Sequence, residues 1–227
     1  MYKNYKILIL LFLLLFTLPV NSHVQHYENI NRIEFDIFRN DKHIGKHIFT
    51  FTKDNENLSI LSEINFEIKK LGVTLYKYHV KGTEYYKNGE LIKFNSKTNQ
   101  NGKRKYVNML LENNDFLIDG SSFQGKVPKD YLIGTWWNHS IVKSKAQISA
   151  VSGRIIKQKV TFLGKEKLEI SGKMYNALHF NFSSTDNKLD KGKRLNTDVW
   201  YDEETLNWIK ASFNKKGKWI YKLTSIE

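Results

Sequence analysis

Along most of the chain, apolar and polar side chains take turns at every second position. Ile33, Phe35 and Ile37 alternate with Glu34 and Asp36, the period of a strand with one buried face. Asn40-Asp41-Lys42 is turn chemistry, and Ile44, Ile48 and Phe49 carry the returning strand. After the polar run Asp54 to Asn57, the residues Leu58, Ile60, Ile64, Phe66 and Ile68 share one face. Glu63, Asn65, Glu67 and Lys69 take the other. Gly72 ends that run. Val73 to Tyr86 is aromatic and β-branched, and Asn88-Gly89 is a two-residue hairpin signal. Strands over 91–98, 105–112 and 116–119 follow, with a turn at Asn101-Gly102. A second ladder starts at Arg154. It predicts strands over 154–163, 166–171, 174–184, 193–201, 206–214 and 218–226, punctuated by Gly164, Gly172, Gly192 and Gly217. No segment carries a helical period of useful length.

Between the ladders, Pro128 to Asn138 does not alternate. It packs Tyr131, Leu132, Ile133, Trp136 and Trp137 together, with Pro128 restricting the backbone and Gly134 loosening it. The pattern predicts an all-β fold. An antiparallel meander is curled into a barrel or half-barrel, with a covering loop or short helix between two strand ladders. The covering stretch is expected across the mouth of an apolar interior. Two adjacent indoles cannot both face one sheet, so one is expected to close the core while the other faces a cavity or partner. Tyr131, Ile133, Trp136 and Trp137 are the candidate ligand-binding residues.

The N-terminus changes the picture of where the protein works. Lys3 and Lys6 precede an apolar run from Ile7 to Leu18 that only Thr17 interrupts, then Pro19 and Val20-Asn21-Ser22. This is the pattern of a signal peptide over residues 1–22, cut after Ser22. Removing 22 of the 227 residues leaves 205, exported to the periplasm or secreted. The run falls short of the roughly 20 apolar residues of a membrane span, although an uncleaved anchor is the alternative. Residues 23–29 read as a flexible tail and 30–227 as a single β domain. There is no cysteine, so neither a lipidated cysteine nor a disulfide supports the fold, and the hydrophobic core must.

The net charge is +13, or +11 without Lys3 and Lys6. The lysines are dispersed along the strands, and Asn and Ile are also abundant, as AT-rich codon usage produces. A solvated basic surface is expected, with no nucleic-acid partner. Lys77 and Lys81 break one face of their strand while Thr74 and Gly82 weaken the other, so no lipid-facing band of a membrane barrel emerges. The chain is read as not membrane-spanning after cleavage.

Candidate chemistry is sparse. His43 and His47 share a strand face by parity, but four residues along a strand span about 13 Å, too far for one metal ion. His23 would head the mature chain and could offer amine and ring to copper, although a frayed tail explains it as well. Ser140 beside His139, and Ser121-Ser122 after Asp119-Gly120, lack the Gly-x-Ser-x-Gly setting of a nucleophile. Asp198 with Asp202, or Glu203 with Glu204, could pair as glycosidase carboxylates, although Asp202-Glu203-Glu204 before Thr205 reads more simply as a solvated hairpin turn. Trp136, Trp137, Trp200, Trp208 and Trp219 could form a stacking platform, but tryptophans so spaced are more often core. No catalytic residue, metal or cofactor is assigned.

Three places together carry a resemblance: Ser96 to Lys103 at a hairpin, Pro128 with Thr135-Trp136-Trp137-Asn138, and Val199-Trp200-Tyr201-Asp202 followed by Trp208. With the opening hairpin from Phe38 to Gly45, the chain resembles an uncharacterised family of secreted bacterial all-β proteins, a domain of unknown function. That pattern is similar in outline to periplasmic lipoprotein-carrier half-barrels, which is analogy at the level of fold. The expectation is an exported binding or carrier protein whose partner is an apolar, lipid-like small molecule. The alternative is a non-catalytic envelope interaction protein with a solid core, and an enzyme ranks third.

Overall fold

The computed structural model describes Tyr27 and residues 29–227. The expected signal peptide, and all of the expected tail except Tyr27 and Asn29, lie outside them. Eight strands make the first ladder: β1 (Arg32–Arg39), β2 (Lys42–Asp54), β3 (Asn57–Lys70), β4 (Val73–Lys87), β5 (Glu90–Gln100), β6 (Lys103–Glu112), β7 (Asp115–Gly120) and β8 (Phe123–Pro128). After the short β9 (Leu132–Ile133) and β10 (Ala146–Ile148), the second ladder is β11 (Ile155–Ile170), β12 (Lys173–Ser184), β13 (Asn196–Asp202), β14 (Trp208–Asn214) and β15 (Lys218–Ile226).

All fifteen strands join one sheet, in the order β8 to β1, then β15 to β9. The first and last strands therefore pair at its centre, with Ile37 opposite Tyr221. Every pairing is antiparallel except β9 with β10. The sheet curls but does not close, because β8 and β9 are its two edges. These edges are consecutive in the chain, so the non-alternating stretch starts at the seam. A backbone bond from Ser122 N to Ser152 O, 2.8 Å, bridges the gap at one end.

Most turns are where the sequence put them. Asn40-Asp41, Asn88-Gly89, Asn101-Gly102 and Asn113-Asn114 all take positive φ at both positions, the twist that two-residue hairpins require. Two readings differ. Residues 155–170 form one strand rather than two, because Gly164 (φ +124°) sits at a bulge opposite β12 instead of a turn. β8 was not foreseen, since FQGKVP puts only Phe123 and Val127 on its apolar parity, with Gly125 between them.

A second bulge, between Ile37 and Phe38 in the pairing with β2, has a larger effect. It shifts parity within β2, so His43 and His47 do not share a face. His43 is exposed and bonds Asp36 at 3.1 Å, whereas His47 is buried inside the curl.

Alternate turns share an end of the curl. The turns after β1, β3, β5, β7, β10 and β14 and the connection after β12 lie at one end, here the open end. The turns after β2, β4, β6, β11 and β13 lie at the other, closed end. At the closed end the core is filled by Phe35, Phe49, Phe51, Tyr86, Phe116, Trp137 and Trp208, among others. β2 and β3 stay in register because Gly45 faces Phe66 without a side chain. A Cβ on Gly45 would stand 2.1 Å from Asn65 O and 2.5 Å from Phe66 Cβ. Gly45→Ala is expected to cost about 1–3 kcal/mol of stability through overpacking, read as a lower urea midpoint at unchanged m-value.

Candidate functional site

The non-alternating stretch folds into the curl and does not lie over its mouth. After β9 it passes Gly134 and reaches Thr135, Trp136 and Trp137, then a single 3-10 turn, His139–Lys143, capped by Asn138. Gly134 provides room here, because a Cβ would meet Gln147 Oε1 at 2.2 Å. The left-handed backbone falls instead on Trp136 (φ +62°), a conformation that strains a bulky residue. That kink turns consecutive indoles in different directions.

What holds the kink is Glu84. It lies on the inward parity of β4 with Val80, Gly82 and Tyr86, and is only 2% exposed. Its Oε1 accepts from Trp137 Nε1 at 2.8 Å and Thr135 Oγ1 at 2.9 Å, and its Oε2 accepts from Tyr86 Oη at 2.7 Å. Burial raises the Glu84 carboxyl above its ordinary value of 4.5, and the bonds from Tyr86, Trp137 and Thr135 pull it back. Trp137 is 1% exposed and meets Tyr27, Phe51 and Tyr86 edge to face. Tyr27 also donates its hydroxyl to Trp137 O. Tyr27 is 2% exposed and closes this end, so it is not part of a tail.

Above Trp137 lies a cavity of about 910 Å³ that opens at the opposite end. Ile64, Val80, Phe94, Trp136, Ile156 and Tyr221 give it apolar walls. Of the four residues expected at a ligand site, Trp136 lines it. Trp137 and Ile133 are buried in the core, and half-buried Tyr131 packs against that core.

Two further lining residues are His47, weighed in the sequence only as a metal ligand beside His43, and Ser62, which the sequence reading did not single out. His47 Nε2 and Ser62 Oγ are 2.8 Å apart, and burial pulls the imidazole down to about 3, leaving it neutral. The signal was available in part, since Ser62 falls between inward Ile60 and Ile64. His47 Nδ1 has no hydrogen-bond partner among the described residues, nor does Trp136 Nε1. The pair thus has two parts of a nucleophilic triad and no carboxylate behind the histidine.

The other candidates disperse. Asp198 accepts from Asn181 and approaches His179, while Asp202 holds Thr205 in the next turn. Ser121 bonds the backbone of Tyr106, and His139 packs edge-on against Tyr201. Trp200 stacks on His179, and Trp219 on Phe213. Trp208 stacks on Phe35, so the indoles form no single platform. Among the described residues no group of three or more His, Asp or Glu could hold a metal ion. No helix of these residues is long and apolar enough to cross a membrane.

The chain belongs to the family described as a domain of unknown function, DUF6134, whose model matches residues 35–224. No curated protein matches it. A solved structure, the beta-barrel-like protein of domain of unknown function DUF1849 from Brucella abortus, has the same fold. It superposes with a TM-score of 0.60 at 9% identity, over 86% of this chain and 96% of that one. A DUF1329 family protein from Desulfovibrio piger, also 9% identical, aligns over 91% and 90% of the two chains with a TM-score of 0.25, too low to carry an argument.

Removing the Glu84 carboxylate strands three buried donors. Glu84→Ala is expected to destabilise by about 3–5 kcal/mol in urea melts. pH provides a second test. With the folded-state value raised, the unfolded chain loses this proton first as pH rises through about 4.5. The contribution of Glu84 to stability is therefore greatest below that value and falls until the folded state ionises too. Glu84→Gln should flatten this decline in melts compared across that window.

Proposed function

We propose that this DUF6134 protein is an exported carrier that holds an apolar, lipid-like ligand in the cavity of its curled sheet. The observation that supports this reading is the cavity itself, with Ile64, Val80, Phe94, Trp136, Ile156 and Tyr221 in its walls and its opening at one end. Its volume is at the upper end of the roughly 300–1,000 Å³ of small-molecule sites. Export rests on the leader pattern of residues 1–22 and is tested by the N-terminal residue of the mature protein.

One observation favours a second reading, an envelope interaction protein. The β3–β4 hairpin runs past its neighbours, since β2 last pairs at Gly45–Phe66 and β5 at Tyr78–Gln100. Its tip exposes Leu71, Val73 and Leu75, an apolar patch available to a partner.

The carrier reading predicts an asymmetry between the indoles. Trp137→Ala is expected to cost about 3–5 kcal/mol, as core truncations do, and Trp136→Ala clearly less. Only Trp136→Ala should weaken binding of an apolar fluorescent probe to the folded protein. Native mass spectrometry of protein from its own envelope should show an added lipid-sized mass. Absence of that mass together with no probe binding by the parent protein would end the carrier reading.

A further inference from the structure

The cavity's two ends differ in charge. Its lining includes Arg154, Lys193, Arg194, Lys215 and Lys216, and no aspartate or glutamate. All five lie at the open end: Lys215 and Lys216 in the β14–β15 turn, Lys193 and Arg194 in the β12–β13 connection, Arg154 just before β11. Below them the walls become Ile64, Val80, Phe94 and Trp136.

Some of these cations are already engaged. Lys193 Nζ pairs with Asp190 at 2.9 Å. Arg194 donates to the carbonyls of Leu189 and Asn187, which folds the connection back on itself. Arg154 donates to Lys193 O at 3.1 Å, tying the two loops together. Arg154, Lys215 and Lys216 have no carboxylate partner among the described residues. Burial, and then repulsion from Arg154, Lys105 and Lys216, lowers the affinity of Lys215 for its proton. Such a cluster of like charges around an opening is unfavourable unless an anion joins it.

We infer that the ligand is an anionic amphiphile, with a carboxylate or phosphate head at the Arg154–Lys215–Lys216 mouth and an acyl chain against Trp136. This rests on the carrier reading and adds the head-group class and the orientation. What sets the mouth apart from the general basic surface is convergence: five cations line one opening and no aspartate or glutamate lines it with them.

The test is displacement of a bound apolar fluorescent probe by dodecanoate, dodecyl phosphate, dodecanol and inorganic phosphate. The two acids are expected to compete at about tenfold lower concentration than the alcohol, the effect of a few exposed charge contacts. High salt should narrow that gap. Lys215→Gln with Lys216→Gln, both in an exposed turn, should narrow it too and leave dodecanol unchanged. Equal competition by acids and alcohol overturns the head-group assignment and leaves the cavity reading intact. Inorganic phosphate competing as well as dodecyl phosphate overturns the amphiphile in favour of a free anion. A parent protein that binds no probe removes both readings together.

Discussion

A single buried carboxylate fixes the interior of this molecule. Glu84 is carried by the first strand ladder, and two of its three donors, Thr135 and Trp137, belong to the connection between ladders. A buried charge or acid without partners is very costly, so the connection cannot leave it without leaving three polar groups dry. The bond pattern thereby decides which side of the sheet the connection occupies. It also orients the indole pair: with Trp137 held at the closed end, the strained backbone at Trp136 turns the next ring toward the empty half of the curl.

An open sheet of this width has two exposed edges, which invite pairing with other chains. Here the edges are adjacent in sequence, and the chain that follows β9 folds inward before the second ladder begins. Its loop takes up polar groups from the opposite wall. Ser96 Oγ donates to Ala150 O at 2.5 Å, and Thr98 Oγ1 to Val151 O at 3.4 Å. Gln147 and Gln158 bond side chain to side chain in the same layer, and Gln158 also caps Ile141 O and Ser144 O. Buried polar groups are acceptable when satisfied in this way. The seam is thus closed by side chains and loop backbone rather than by a sheet ladder.

Much of the fold was legible because strand parity and hairpin chemistry are local. Alternation located most strands to within a few residues, and paired Asn, Asp and Gly located their turns. What parity could not give was a bulge. A glycine inside an alternating run suits a turn or a bulge equally, so Gly164 was read as a break, and the bulge beside β2 reversed the side of His43. The site was legible only as an anomaly, a cluster of large apolar residues that did not alternate. Its direction depends on Glu84, 51 residues from Thr135 and 53 from Trp137. Glu84 was visible as an acid on an inward parity, but only the fold brings its donors to it. Tyr27 was hidden by its polar neighbours in the sequence.

The pairing of β1 with β15 has a consequence in time. Each ladder can form by zipping neighbouring hairpins, since every pairing within it joins strands close in sequence. The seam at the centre of the sheet is different: Thr224 Oγ1 reaches Glu34 O across 190 positions. Contacts of such separation form slowly, because loop closure precedes any gain. A chain threaded through a membrane N-terminus first would present β1 long before its partner emerges. Until then Ile33, Phe35 and Ile37 form a bare apolar edge. On the proposed export route, the period of greatest hazard would therefore be delivery, when a holding chaperone on the far side would have most to protect.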